Sequence, residues 1–412
     1  MGMGQPAEEF AAKAHWPSEH SDVEYVPEDY RLTPTQLKQA YGLYLLDGAF
    51  LAGGEVYFCI VLFLLVQQRV GAKLRDWAQH SSRWPWVQAL LVAGVFTVLL
   101  RLFGIPLDIL EHRVSLRYGF SVQHWGSWLA DWWKATLLTA AFIALLGWGA
   151  YAIIRRSPRR CWFYAWLLTL PVMVLVMFVA PVLIEPLFNH YEPLEKTHPE
   201  LVAQIERVVR RAGMEIPPER MFLMRASEKV TTLNADVEGM GSTKRVVVWD
   251  TTISHLNSPQ LLFVFGHEIG HYVLGHIWKE MALIAVQLLV LFYVAFRLAN
   301  GLLRHYGERW HVAGLGDWAS LPLIILLLTM LAFLDSPVVN GVSRHYEHQA
   351  DTYGLNVIQD IVAEPNVVAA QAFQVLGERS LDYPYVSKWA EFWAWDHPPI
   401  RERLLYALHY QP

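Results

Sequence analysis

Six stretches of the chain carry enough consecutive apolar residues to cross a bilayer: 49–67, 86–110, 135–154, 161–184, 281–303 and 319–342. A hydrocarbon core of about 30 Å takes roughly 20 residues of helix, and 135–154 and 161–184 contain no charge at all. The other four are interrupted by Glu55, by Arg101 and Asp108, by Arg297, and by Asp335. A charge held in hydrocarbon is costly unless it reaches the interface or faces a polar interior. Arg101 and Arg297 are long enough to snorkel from a helix end, whereas Glu55 and Asp335 predict a polar cavity among the helices.

Between and around these spans the pattern changes. Residues 1–48 form a polar tail bearing Glu8, Glu9, Glu19, Asp22, Glu24, Glu28 and Asp29, with no cleavable signal peptide, so insertion is expected to begin at the first internal span. Residues 185–280 mix a helical stripe (Leu201, Ile205, Val208, Val209) with short β-like runs at Met221–Arg225, Lys229–Ala235 and Arg245–Trp249. Residues 343–412 read as helices broken near Pro398 and Pro399. The expected organisation is thus a tail (1–48), four spans (49–184), an extramembrane α+β region (185–280), two more spans (281–342) and a helical C-terminal region (343–412). The fold class is mainly α, with six transmembrane helices and a small split α+β portion.

Composition sharpens this. Of the 412 residues, 54% are hydrophobic and 17% charged, against about 25% charged in a typical soluble protein. The 18 Trp and 18 Tyr suit a chain that meets the membrane interface repeatedly. A net charge of −5 gives no electrostatic case for a nucleic-acid partner. Cys59 and Cys161 both lie in apolar stretches, which excludes a disulfide framework or a Cys-based zinc site.

The chemistry concentrates at His267-Glu268-Ile269-Gly270-His271. Ser258-Pro259 can cap a helix and fill its first turn, and on that helix two imidazoles four residues apart project from one face and can grip a single ion. Glu268, one step round, can take a proton from a metal-activated water. Leu261, Leu262, Val264, Phe265, Ile269 and Val273 surround the motif, so the helix is expected to be buried, where polar groups without a partner are costly. Catalytic zinc keeps three protein ligands. The candidate for the third is Glu347, since two spans lie between it and His271 and an even number returns the chain to the same membrane face. Asp351, one turn on, can accept the second ring proton of a ligand histidine, and Arg344 can anchor nearby carboxylates or substrate. His345 and His348 flank Glu347 and could compete as ligands; His276 lies off the ligand face and reads as structural. A scaffold or a metal transporter competes with an enzyme here. A transporter, however, should hold its ligands within the spans, and a pseudoenzyme should have lost Glu268 or a ligand.

The set His267-Glu268-x-x-His271-x-x-x-x-His276, Asn340-x-x-Ser343-Arg344-x-x-Glu347-x-x-Ala350-Asp351 and His397-Pro398-Pro399-x-x-Glu402-Arg403 resembles the type I CAAX prenyl endopeptidases, which are integral-membrane zinc metalloproteases. Also similar are Pro186-Leu187-Phe188-Asn189, and Asn234-Ala235 followed by Gly239 and Lys244-Arg245. The resemblance covers roughly 40–410. It implies a helical barrel around a water-filled chamber, closed at one end by a gluzincin-like zinc portion holding one Zn²⁺ per chain. It also implies His267, His271 and Glu347 as zinc ligands and Glu268 as general base. His397 is implied at the oxyanion, with Asn234, Ala235 and Asn340 on the substrate. The expected partners are membrane lipids and a peptide or protein substrate, with or without a lipid group. Prenylated CAAX-type peptides and broad membrane-protein quality control stay open as substrate classes. Two departures stand out: a polar tail replaces the additional first span of eukaryotic members, and Asp236 stands where the family's Asn-Ala-aromatic pattern has its aromatic.

The protein is therefore expected to be a multi-pass integral membrane protein, in the cell membrane. With six spans, the tail, 185–280 and the C-terminal region share one side. The opposite loops, near 69–83, 155–160 and 304–309, are rich in Arg, including Arg155, Arg156, Arg159 and Arg160. By the positive-inside rule those loops are cytoplasmic and the zinc site faces out; the family resemblance implies the reverse. Single cysteines introduced as Pro158→Cys and His20→Cys discriminate. In intact cells the charge reading expects only position 20 to react with an impermeant thiol reagent. Reaction at position 158 alone would establish the family orientation, and reaction at both would overturn the six-span count.

Overall fold

A computed structural model describes residues 26–239 and 243–412; Glu8, Glu9, Glu19, Asp22 and Glu24 lie outside the described residues. The first four apolar stretches are helices α1 (Pro34–Gln67), α2 (Pro85–Tyr118), α3 (Trp125–Arg156) and α4 (Cys161–Leu183). Helices α5 (Pro199–Arg211) and α6 (Ser258–Val273) follow, then the last two apolar stretches, α7 (His276–Trp310) and α8 (Leu321–Val357). The C-terminal region forms α9 (Pro365–Ser380), α10 (Lys388–Ala394) and α11 (Ile400–His409). Helix α1 starts well before its apolar stretch because Thr33 and Gln36 form a capping box with Pro34 at the first turn. Its polar first turns belong to the segment read from sequence as tail.

The six spanning helices close a ring. Each packs chiefly on two neighbours, α1 on α2, α2 on α3, α3 on α4, α4 on α7, α7 on α8, and α8 back on α1. Only 0% of the most apolar window of the fourth span and 6% of the fifth is buried by protein. Helices in a close-packed bundle each bury a stripe, so walls this exposed are one helix thick, with lipid outside and an open interior. This is the chambered barrel. The charges inside the second span are resolved by pairing: Arg101 lies 3.3 Å from Asp108, whose carboxylate also accepts the Trp132 indole N–H at 2.7 Å. At the end remote from the α+β portion the loops are laced by arginines, with Arg69 donating to the Arg309 carbonyl, Arg75 to Asp317 and Arg155 to the Gly316 carbonyl.

The rest is one folded unit assembled from three stretches. Its core joins Tyr30 to Leu201, Ile205, Val246, Phe263, Phe373 and Leu404. Arg401 holds Asp29 through two 2.9 Å bonds and Tyr30 donates to the Asp382 carbonyl, so the chain before α1 is docked on the C-terminal helices, on the same side as the α+β region. A four-stranded sheet runs in the order β1 (Tyr191–Pro193), β2 (Met221–Met224), β4 (Arg245–Trp249), β3 (Ala235–Glu238), with β2 and β4 parallel and the outer pairs antiparallel. The run Lys229–Ala235 is not a strand. Val122 N–H and Thr231 N–H bond across to the Lys229 and Phe120 carbonyls, tying this segment to the loop between α2 and α3, and the edge strand begins only at Ala235.

Helix α6 is capped by Asn257 and Gln260 in a reciprocal box, with Ser258 and Pro259 in the first turn rather than at the cap. It packs closely on α8. Glycines permit this approach: a Cβ on Gly354 would lie 3.0 Å from the His267 backbone nitrogen, and one on Gly266 would lie 2.7 Å from a Val357 methyl and 3.2 Å from Gly354. Gly354→Ala and Gly266→Ala should each destabilise the protein by about 1–3 kcal/mol, the usual cost of overpacking, read as a lower melting temperature in detergent. Gly53→Ala, where nothing stands within 4 Å, should be neutral. Equal melting of all three would mean that the helices have room to spare.

Candidate active site

One turn of α6 places His267 and His271 side by side, and α8 brings Glu347 up to them. The two Nε2 atoms are 3.2 Å apart, and each faces one oxygen of Glu347 at 3.3 Å. Among the described residues these three are the group of His, Cys, Asp and Glu side chains whose donor atoms converge, all within 4.8 Å. Zinc bonded at about 2.0 Å to nitrogen and carboxylate oxygen holds neighbouring donors about 3.3 Å apart, close to the separation of the two Nε2 atoms and of each Nε2 from the carboxylate oxygen that faces it.

Proton bookkeeping leads to the same conclusion. The Asp351 carboxylate can only accept, so His267 Nδ1, 2.8 Å away, carries a proton, and Nε2, facing His271 and Glu347, is left either to take a second proton or to offer its lone pair to a metal. Lone pairs facing a carboxylate at these distances repel unless something positive lies between them. Burial opposes charge on His267, yet its hydrogen bonds with Asp351 and Glu347 outweigh burial and push the ring up to about 10. The surroundings thus call for a cation: Glu268, Glu347 and Asp351 face one guanidinium, Arg403, a formal balance of −2. A divalent metal fits this donor set, which has two imidazoles, one carboxylate and an oriented second ring nitrogen.

The neighbours are placed as follows. Glu268 stands 3.9 Å from His267 Nε2, on the same side as the donors, and burial raises its carboxyl above the ordinary glutamate value. Asp351 is fully buried and gripped by Arg403 through Nε at 2.9 Å and Nη2 at 2.6 Å. Arg403 comes from α11, and its role was not legible from sequence although its residue was part of the motif. His397 enters from the loop before α11, with Nε2 3.4 Å from Glu347 and Nδ1 2.9 Å from Asp396. Burial works against its charge, but Asp396 and Glu347 raise it above the ordinary histidine value.

Four further candidates stand away from the converging donors. Arg344 pairs with a carboxylate other than Glu347 or Asp351: its Nε stands 3.7 Å from Glu391, and it donates to the main-chain carbonyls of Glu391 and Trp395. Asn340 likewise donates to the Trp393 carbonyl at 2.9 Å, so both hold the segment that carries α10 rather than the donors. The physical reason is that their helical faces look toward α10, which packs on α8. His345 and His348 do not compete for the metal: His345 meets Gln349 at 3.1 Å and His348 lies on the Tyr406 ring. His276, by contrast, touches the site, its Nδ1 3.2 Å from His271 Nδ1.

Strand β3 is an edge of the sheet and packs on α6. Asn234 immediately precedes it, with its amide donating to Asp236 at 3.0 Å, and Ala235 is buried as its first residue. Beside this strand lies a cleft of about 440 Å³ with apolar walls from Met177, Phe178, Val247 and Trp249 and carboxylates from Glu185, Asp236 and Glu238. Burial, with Glu268, Glu238 and Glu185 nearby, lifts Asp236 to about 7.

The chain is similar to known proteins. The family model for peptidase family M48 matches residues 195–410, and that described as CAAX prenyl protease N-terminal, five membrane helices, matches residues 26–190. Over the latter range the described residues carry four helices long and apolar enough to span. The uncharacterized metalloprotease YhfN of Bacillus subtilis (strain 168) is 33% identical over 352 residues, 84% of this chain and 79% of that one. CAAX prenyl protease 1 of Saccharomyces cerevisiae is 30% identical over 192 residues, 46% of this chain and 42% of its own. The crystal structure of S. mikatae Ste24p has the same fold, with a TM-score of 0.77 at 21% identity, covering 95% of this chain and 93% of that one. With a ring of spanning helices, a convergent His-His-Glu set and a match over more than half its length, this chain belongs to peptidase family M48, as a multi-pass membrane metalloprotease.

Proposed function

We propose that the protein is a zinc endopeptidase that holds one Zn²⁺ per chain between His267, His271 and Glu347 and hydrolyses a peptide laid along β3. The observation that carries this reading is the convergence of those donors, with Glu268 beside them, on the helix that packs against the open edge strand. Zinc held there supplies a Lewis acid for water and for the scissile carbonyl.

The chain's own residues do the rest. Glu268, whose raised basicity suits proton transfer, takes the proton of the attacking water and passes it to the leaving amine. His397 is poised to donate from Nε2 to the oxygen of the tetrahedral intermediate, because its Nδ1 proton is held by Asp396 and the neighbouring carboxylates favour the imidazolium. An extended substrate adds to β3 by main-chain pairing, with Asn234 and Ala235 at the start of that edge and the adjoining cleft receiving a side chain. Asp351 and Arg403 orient His267. The membrane ring delivers substrates associated with lipid, and the name of the yeast relative, CAAX prenyl protease 1, supports prenylated peptides as one class. Main-chain pairing reads few side chains, which favours broad membrane-protein quality control as a second reading.

Purified protein should contain about one zinc per chain. His271→Ala or Glu347→Ala should lose it, and Asp351→Ala should weaken binding by about 10–100-fold. Glu268→Gln should keep the metal and lose hydrolysis; full activity in that variant would overturn the mechanism. His397→Ala should lower kcat by about 10²–10³ with zinc intact, and Asn234→Ala should raise KM more than it lowers kcat, since strand pairing holds ground and transition states alike. Comparing kcat/KM for one peptide with and without a prenyl group separates the two substrate classes.

A further inference from the structure

His267 has an evident support in Asp351. His271 would need one too, because a ring that ligates through one nitrogen is held in place through the other. Among the described residues, no carboxylate is hydrogen-bonded to its Nδ1. Its Nδ1 instead lies 3.2 Å from Nδ1 of His276, a side chain with no solvent exposure. His276 in turn has its ring stacked on Tyr346, 4.4 Å between centroids and 10° from parallel, which fixes its plane. Its Nε2 lies 2.9 Å from Gln349 Oε1, and Gln349 Nε2 lies 3.1 Å from His345 Nε2.

The links of this row share one sense, set by the end of the Gln349 amide that faces His276. If His271 turns its Nε2 lone pair to the metal, its proton sits on Nδ1 and is donated to His276 Nδ1. The remaining proton of His276 is then on Nε2 and is donated to the Gln349 carbonyl oxygen, and the Gln349 amide donates onward to His345. Reversing any one link puts two donors or two acceptors face to face. With the Gln349 carbonyl oxygen turned to His276, as it stands at 2.9 Å, the row selects the tautomer of His271 in which Nε2 is free to ligate.

We propose that His276, fixed by Gln349 and Tyr346, is a positioning residue that sets the tautomer and ring orientation of His271, in the part that Asp351 plays for His267. This deepens the zinc reading and rests on it. The row spans α6, α7 and α8: His271 ends the metal helix, His276 opens a wall helix, and Gln349 rides two residues past Glu347. The membrane ring and the metal site thus share a hydrogen-bonded seam.

The test is zinc affinity of the full-length protein in detergent, measured by chelator competition. His276→Phe keeps the stack on Tyr346 but removes the acceptor and should weaken zinc binding by about 10–100-fold, whereas His276→Gln, which can still accept from His271, should recover most of the loss. Gln349 gives a milder probe that leaves His276 in place. Gln349→Glu keeps an acceptor and should bind zinc at least as tightly as the parent, while Gln349→Met should bind several-fold more weakly. A purely structural His276 would lower the melting temperature and leave the zinc affinity of the folded protein unchanged. That result, or equal affinities for Gln349→Glu and Gln349→Met, overturns the inference. A parent protein that binds zinc no better than His271→Ala would overturn the zinc reading itself.

Discussion

The contact between α6 and α8 is the constraint on which the site depends. Two histidines on one helix can offer at most two ligands, and a third has to be carried to within a bond length or two of them by a separate element. Backbones usually keep about 8–10 Å between helix axes, which would leave a glutamate side chain reaching outward with freedom to miss. Here Gly266 and Gly354 remove the side chains that would stand between the helices, and the Gly354 position lies against the His267 backbone itself. The result is a Glu347 carboxylate bridging both rings at 3.3 Å. Such an assembly is preorganised by packing, so little ordering remains for a metal to impose.

Packing alone would not be stable with these groups in it. Glu347 and Asp351 are nearly or fully buried, and buried carboxylates without partners are costly. Arg403 answers both, clasping Asp351 in a two-pronged contact and standing 3.4 Å from Glu347, while its stem and guanidinium lie over Phe373 in the core. One guanidinium cannot neutralise three carboxylates, and the deficit leaves the cluster suited to a dication rather than closed as a salt-bridge network. Stability and the proposed function are linked through that imbalance: the carboxylate that another arginine would satisfy, Glu347, belongs to the donor set that would hold a metal.

The membrane ring and the α+β unit are not separable modules. Only Leu274 and Gly275 separate α6 from α7, a wall of the barrel, and Glu347 sits on the extension of α8, the next wall. The chain ahead of α1 returns to the C-terminal helices through Asp29 and Tyr30. The walls of the ring are therefore continuous with the elements that carry His271 and Glu347.

The sequence by itself determined what depends on short range. Apolar runs decide which segments enter lipid, because hydrocarbon tolerates only helices with satisfied backbones. The four-residue spacing of His267 and His271 decides that they share a helical face. The parity of the intervening spans decides that Glu347 can reach them, and one further turn places Asp351 below. Resemblance added the roles proposed for His397 and Asn234, which no local pattern carries. Everything that depends on where distant segments dock was left to the tertiary structure. Arg403 meets Asp351 only because α11 folds back under α8. Arg344 and Asn340 serve α10 because of the face they present, and β3 begins at Ala235 because the residues before it pair with a membrane loop. His276 lies off the ligand face of an extended α6. It reaches His271 only because the chain turns at Leu274 and Gly275, and no spacing rule encodes that turn. Periodicity fixes which side of its own helix a residue occupies; the neighbour that side will meet is set by the packing of the whole chain.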